Sequence, residues 1–594
     1  MSQLNCIYTS PSHLNSLSRW DHTHTMIPTD HKIVKVLFAP PQLPHIGKGC
    51  WTWPLSLLHD ENLTANITIL GLKLQEDIAS LPPNHTPSNI QTLWEAFKTD
   101  ITTAAKSTAK VQLARINYKI TALKREVSLK NNSDRIDTTD DSRTHSTKLE
   151  KELEHLEKKR YKNAYVRTQV RWHIQGEKIN KYWCKLNSPK TPRDIIYKLV
   201  DPITNRTVSR TSDMAEIARN YHTTLLTKDL APMSSPERQQ TMHNSLSAIP
   251  LCQKLNDPDS PLHALITTEQ TLAALYTCQN GTAAGMDSIP YEVWKHLHEH
   301  FKMSLKKKGN PPRFDIIMCL TKVFNNIQLH GVEPMSNFAL GWMCPIYKKK
   351  DRVKIENYRP ITLLNTDYKS MTKALTMQLA HKICTLIHPN QTRFIPQHSI
   401  FDPIRLAKNM CDYADHMEED GTIVALDQEK AYDKIDHTYL LSTLRTFQLP
   451  EVFVSTITSL YEHAHTTIAI NGVLSPTFHV TRGVQQGDPL SCLLFDLAIE
   501  PLACLLCASP TLRGITILGV PQKTIINMYA DDTTIYLSAD DHYTNLETIL
   551  LSWCLVSGTK FNLKKTEVLP IGTQDHRNRI TATHQIHPTD PPPA

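Results

Sequence analysis

Two adjacent aspartates at the tip of an apolar hairpin constrain this chain more than anything else in it. Ile525-Ile526-Asn527-Met528 and Thr533-Thr534-Ile535-Tyr536-Leu537 flank Tyr529-Ala530-Asp531-Asp532. β-Rich runs on either side of a tight acidic turn read as a β-hairpin. Neighbouring carboxylates repel, so holding both ionised calls for a cation, and oxygen-only ligation suits Mg²⁺. A third carboxylate stands well upstream, where the apolar run Thr422-Ile423-Val424-Ala425-Leu426 reads as a buried strand ending at Asp427. An aspartate at a strand end facing an acidic hairpin is the arrangement that two-metal phosphoryl transfer uses.

The order of the other motifs narrows the reading. Asp427-x-x-x-Ala431-Tyr432-Asp433, then Arg482-Gly483-Val484-Gln485-Gln486-Gly487-Asp488-Pro489-Leu490-Ser491, then Tyr529-Ala530-Asp531-Asp532 together resemble a reverse transcriptase, in detail one from the non-LTR (LINE-type) retrotransposons. Asn357-Tyr358-Arg359-Pro360-Ile361 with Leu363-Leu364 is similar to a fingers motif of that family, and Ser557 to Thr566 to the segment after its catalytic hairpin. A lone Tyr-x-Asp-Asp is weak, whereas five ordered matches between residues 340 and 570 are specific.

The resemblance implies an α/β (α+β) right-hand polymerase, fingers and palm, preceded by a mainly α-helical basic region. It implies catalytic and metal-binding roles for Asp427, Asp531 and Asp532, with Asp532 the less essential. Lys565 falls where the family has a lysine that protonates the departing pyrophosphate. Tyr432 takes the place of an aromatic under the incoming sugar, a steric gate against a 2′-hydroxyl. Gln486 and Gly487 would lie against the template–nucleotide pair, and Lys349 and Arg359 would clamp the triphosphate. The implied cofactor is Mg²⁺, with Mn²⁺ as the alternative ion; the implied partners are an RNA template, a DNA primer and deoxynucleoside triphosphates.

Composition bounds the rest. A chain of 594 residues has room for several domains. A net charge of +7 is compatible with a polyanionic partner without identifying one. Thirteen scattered cysteines, an odd number, read as reduced thiols in the nucleus or cytoplasm and not as a disulfide framework. No long uninterrupted apolar run or secretory leader stands out, so no membrane partner is expected; the oligomeric state is left open.

Along the chain, Pro28-Thr29-Asp30-His31 resembles the final motif of an apurinic-endonuclease-like domain. Residues 1–40 are therefore expected to be a remnant of one, with Asp30 and His31 its surviving site residues. Prolines mark residues 41–265 as linker around a helical hairpin at about 104–190, whose basic and aromatic residues, among them Arg171, Trp172, Lys181 and Trp183, suit nucleic acid or simply a solvated face. Fingers are expected over 266–420, palm over 421–572 and a disordered tail over 573–594, the reverse transcriptase domain itself covering about 330–572. Asn471-Gly472 is a hairpin signal expected to supply palm strands. Arg393 and His398 stand where the family has glycine and arginine, and a side chain at 393 is expected to obstruct the template path. The chain is expected to be a copy truncated at both ends. The readings are then an RNA-directed DNA polymerase, a catalytically inactive nucleic-acid-binding relic of a retrotransposon reading frame, or a scaffolding protein that associates through its helices.

Overall fold

The computed structural model describes residues 17–24, 32–38, 44–81, 88–131, 195–228, 235–307, 312–519, 523–562 and 565–590, with a few isolated positions besides. Its strands in chain order are β1 (Leu17–His24), β2 (Lys32–Phe38), β3 (Leu199–Val200), β4 (Thr207–Val208), β5 (Leu340–Tyr347), β6 (Tyr358–Leu363), β7 (Gly421–Asp427), β8 (His465–Ile470), β9 (Val473–Leu474), β10 (Phe478–His479), β11 (Ile526–Tyr529), β12 (Asp532–Ser538) and β13 (Glu567–Ile571). Two sheets flank the site. One runs β11-β12-β7-β13 and is antiparallel throughout; the other runs β10-β8-β5-β6, with β9 paired to β8.

The alternation of β7 and β12 explains the first sheet. In one set, Val424, Leu426, Ile526, Met528, Ile535 and Leu537 join the main core; in the other, Ile423, Tyr536 and Ile571 join a smaller cluster with Met410 and Ala414 of the helix Phe401–Met417. Register then fixes the chemistry, because Val424 faces Ile535 across the ladder and Asp427 faces Asp532.

The Asn471-Gly472 turn forms as expected, with φ of 47° and 78°, the two positive values a type I′ turn needs. Its strands, however, join the sheet of β5 and β6 and not the sheet that carries Asp427. β8 runs parallel to β5, pairing Leu340–Met343 with His465–Ile468, and local turn chemistry carries no information about so distant a partner. The turn is gripped from outside: Gly47 N donates to Asn471 O at 2.8 Å, and Asn471 exchanges side-chain hydrogen bonds with the backbone of Ile196.

The proline-punctuated stretch after residue 40 is no linker. The helix Glu61–Ala79 buries Leu63, Ile67 and Leu74, and the helix Ser88–Asn131 buries Trp94, Phe97, Ile101 and Ala105, all in the main core. Trp94 packs at 5.4 Å on Trp294, and Phe97 at 5.7 Å on Phe314. Prolines punctuate the ends of these elements, while the apolar periodicity between them supplies the burial. The end of that expected linker also folds, with Leu246, Ile249, Leu255 and Leu262 in the same core. Of the expected helical hairpin, one arm is the distal half of Ser88–Asn131, where Leu113 and Tyr118 are exposed; most of 132–194, including Arg171, Trp172, Lys181 and Trp183, lies outside the described residues. Asp30 and His31 lie outside them too. The tail expected to be disordered carries a helix, Gln574–Thr583, with Ile580 and Ile586 buried.

The helix Ser491–Ala508 is long and apolar enough to cross a membrane, a run that the composition reading passes over, and 78% of it is buried inside the fold. It underlies the site described next.

Candidate active site

The hairpin tip is a two-residue turn. Tyr529 pairs with Asp532, so Ala530 and Asp531 close the loop, and Ala530 adopts φ of 55°. A left-handed alanine costs roughly 1–2 kcal/mol, and it is held by its neighbours. Gln391 Oε1 accepts from Ala530 N at 3.2 Å, while Thr392 N donates to Met528 O and Met528 N to Asn390 O, at 3.1 and 2.9 Å. The segment Asn390–Thr392 is thereby stitched along the free edge of β11.

In front of this hairpin lies an open cleft of about 660 Å³. Asp427 and Asp531 line it, with Tyr432, Gln486 and Gly487 on one wall and Lys349 and Arg359 from the β5–β6 hairpin on the other; Lys565 and Arg393 also reach it. Asp532 is not among the lining residues. Its carboxyl is pushed above the usual range by burial, then by the charges of Asp531 and Asp427.

Asp427 and Asp531 each stand beside a cationic side chain. Lys565 Nζ pairs with Asp427 Oδ2, and Arg393 Nη1 stands 3.8 Å from Asp531 Oδ1. Among the described residues no three His, Cys, Asp or Glu side chains form a ready-made metal cage. The donor set still fits Mg²⁺, which is commonly held by one or two carboxylates plus substrate phosphates, with water completing the shell. Hard oxygen ligands, an excess of negative charge registered at Asp532, and two cations standing as counter-ions are the features such an ion would meet.

Tyr432 follows β7 in the short helix Ala431–Lys434, its ring stacked on buried Phe495 at 4.5 Å and 9°. Burial raises its phenol well above the ordinary value. Gln486 Nε2 donates to Asp433 Oδ1 at 3.4 Å, and Gln486 O accepts from Thr362 N at 2.8 Å, tying this loop to β6. Gly487 has φ of 135°, and a Cβ there would stand 2.2 Å from Thr362 O; no other residue fits so close a crossing. Asp488, expected to cap the long apolar helix Ser491–Ala508, does not do so: the N-cap is Leu490, without a side-chain cap, and Asp488 Oδ1 accepts from Leu490 N at 3.1 Å in a turn just ahead of it.

Sequence reasoning did not single out Lys430, Asp433 or Tyr221, which also line the cleft. Burial moves two of them toward neutrality, raising Asp433 to about 6 and lowering Lys430. Lys430 could have been found from its spacing after Asp427; Tyr221 arrives from a helix distant in sequence, Thr211–Thr227, and carries no local signal. Arg393, expected to obstruct the template path, lines the cleft and lies beside Asp531.

Residues 347–581 match the family model described as reverse transcriptase (RNA-dependent DNA polymerase). Over 97% of its length the chain is 26% identical to the transposon TX1 uncharacterized 149 kDa protein of Xenopus laevis, and it spans 42% of that relative. It is 29% identical over 147 residues to the Pol polyprotein of the type-2 retrotransposable element R2DM of Drosophila melanogaster, covering 25% of this chain and 14% of the relative. It is 25% identical over 222 residues to the R2 Pol polyprotein of Popillia japonica, covering 37% and 30%.

Proposed function

We propose that this chain, whose residues 347–581 form a reverse transcriptase domain of the non-LTR retrotransposon kind, is an RNA-directed DNA polymerase that extends a primer by two-metal nucleotidyl transfer. The observation that supports this most is the cleft itself, where Asp427, Asp531, a basic hairpin, a stacked tyrosine and a glycine-framed glutamine face one space. Asp427 and Asp531 are the residues that would hold Mg²⁺, which when bound supplies charge neutralisation for attack of the primer 3′-hydroxyl on the α-phosphorus. Lys349 and Arg359 neutralise the triphosphate without reading the base. Tyr432, fixed on Phe495, meets the sugar face and rejects a 2′-hydroxyl. Gln486 and Gly487 bring backbone and an amide against the nascent pair. Lys565 donates a proton to the pyrophosphate oxygen as it leaves.

The pairing of Asp427 with Lys565 and of Asp531 with Arg393 favours a second reading, a nucleic-acid-binding relic whose acids serve structure alone. Extension of a labelled DNA primer on an RNA template separates the two. Under the first reading, wild type extends with Mg²⁺ while Asp427→Asn and Asp531→Asn do not. A wild type that shifts the primer–template in a binding assay yet never extends it would sustain the second.

A further inference from the structure

Arg393 owes its position to the strap on β11. Backbone hydrogen bonds of Asn390 and Thr392 to Met528 fix the chain up to residue 392, and Phe394, with φ of 61°, turns it away immediately afterwards. The side chain between them is therefore delivered to the turn that carries Asp531. Its guanidinium lies 4.9 Å from the ring centres of both Tyr529 and Phe394, bracketed by two aromatic faces, and 3.8 Å from Asp531 Oδ1. Arg393 is 37% exposed and Asp531 39%, so the pair is weak and displaceable.

A divalent ion on Asp531 and a guanidinium on the same carboxylate repel each other. Arg393 has an alternative partner within the same cleft, because the phosphates of a bound nucleotide accept a planar guanidinium bidentately. We propose that Arg393 is a built-in counter-ion of Asp531 that competes with the divalent cation and transfers to the nucleotide phosphates when both ligands bind. Metal binding alone is then held down, and metal and nucleotide bind cooperatively, each strengthening the other by the same factor. This rests on the reading of the cleft as a nucleotide and metal site.

The test uses the full chain and Mn²⁺ as probe, with free Mn²⁺ followed by electron paramagnetic resonance, with and without a non-hydrolysable deoxynucleoside triphosphate analogue. Arg393→Gln should bind Mn²⁺ alone about three- to tenfold more tightly than wild type, as removal of one adjacent positive charge implies. Arg393→Lys, which keeps the charge, should stay close to wild type. The analogue should strengthen Mn²⁺ binding more in wild type than in Arg393→Gln. Equal Mn²⁺ affinity and equal coupling in wild type and Arg393→Gln would overturn the inference while leaving the polymerase reading standing. Mn²⁺ binding that is absent from all the proteins, or unaffected by Asp531→Asn, would bring down both.

Discussion

Lys98 is the residue whose loss the fold should tolerate least. It is 2% exposed, yet its ammonium lies 2.9 Å from Asp367, 2.9 Å from Glu95 and 3.5 Å from Asp287. Burial alone would lower its pKa; the three carboxylates more than reverse that and raise it. The cluster joins the helix Ser88–Asn131 to the loop at Asp287 and the helix Thr366–Ala380, and Trp94 Nε1 adds a 2.8 Å hydrogen bond to Asp367. Lys98→Met keeps the stem volume but strands the fully buried Asp367 beside Asp287. Breaking a buried pair in this way costs about 3–5 kcal/mol. The low end applies here, because Glu95 is 24% exposed and water screens it. The loss should depend on pH with a definite sign. Asp287 is raised by burial to about 7 from 3.8, so its contribution to stability is present below pH 3.8 and disappears as pH rises through 7. Lys98 lowers Asp287, so without it Asp287 lies higher still and the deficit is larger at pH 8 than at pH 5.5. Urea unfolding at the two pH values measures it. A deficit below about 1 kcal/mol at pH 8, or one equal at both pH values, would refute the view that this lysine neutralises a buried acidic cluster.

Two further outcomes follow from groups beneath the cleft. Phe495→Leu removes the stacked support of Tyr432, a contact worth about 1 kcal/mol, so discrimination between deoxy- and ribonucleoside triphosphates, read as the ratio of kcat/KM values, should fall about fivefold; an unchanged ratio would show that the ring does not depend on its platform. Glu500 is fully buried, and burial raises it to about 8 from 4.5, so the stability it contributes is present below pH 4.5 and lost as pH rises through 8. Glu500→Gln can still accept from His388 N and Gln253 Nε2; it should therefore gain about 4 kcal/mol on wild type between pH 5 and pH 8.5 in urea unfolding, and parallel pH profiles would exclude a buried acid at this position.

What could be read from the sequence was local. The strand into Asp427, the acidic hairpin and the Asn471-Gly472 turn are each set by a few adjacent residues, and each formed. What could not be read was which distant element each would meet. The turn at Asn471 announces a hairpin but not its parallel alignment with Leu340–Met343. The prolines around residue 54 and residue 82 suggest a linker because punctuation is visible and tertiary burial is not, yet Trp53 and Trp94 sit in the core. Charge is the least legible feature. Lys98 looks like one more helical lysine until Asp287 and Asp367 are brought to it, and nothing adjacent to Arg393 announces that Asp531 stands beside it.

The direct pairing of Asp427 with Asp532 means that the chemistry and the hydrophobic core share one reading frame along β7 and β12. A substitution at Asp427 would remove a carboxylate from the cleft and leave Val424 and Ile535 packed as before. A single-residue insertion or deletion inside either strand would instead turn every side chain beyond it to the opposite face, exposing apolar residues and withdrawing the carboxylate together. Loss of the carboxylate alone and a one-residue slip of its strand should therefore separate cleanly: Asp427→Asn leaves a folded protein, and an inserted residue within β7 does not.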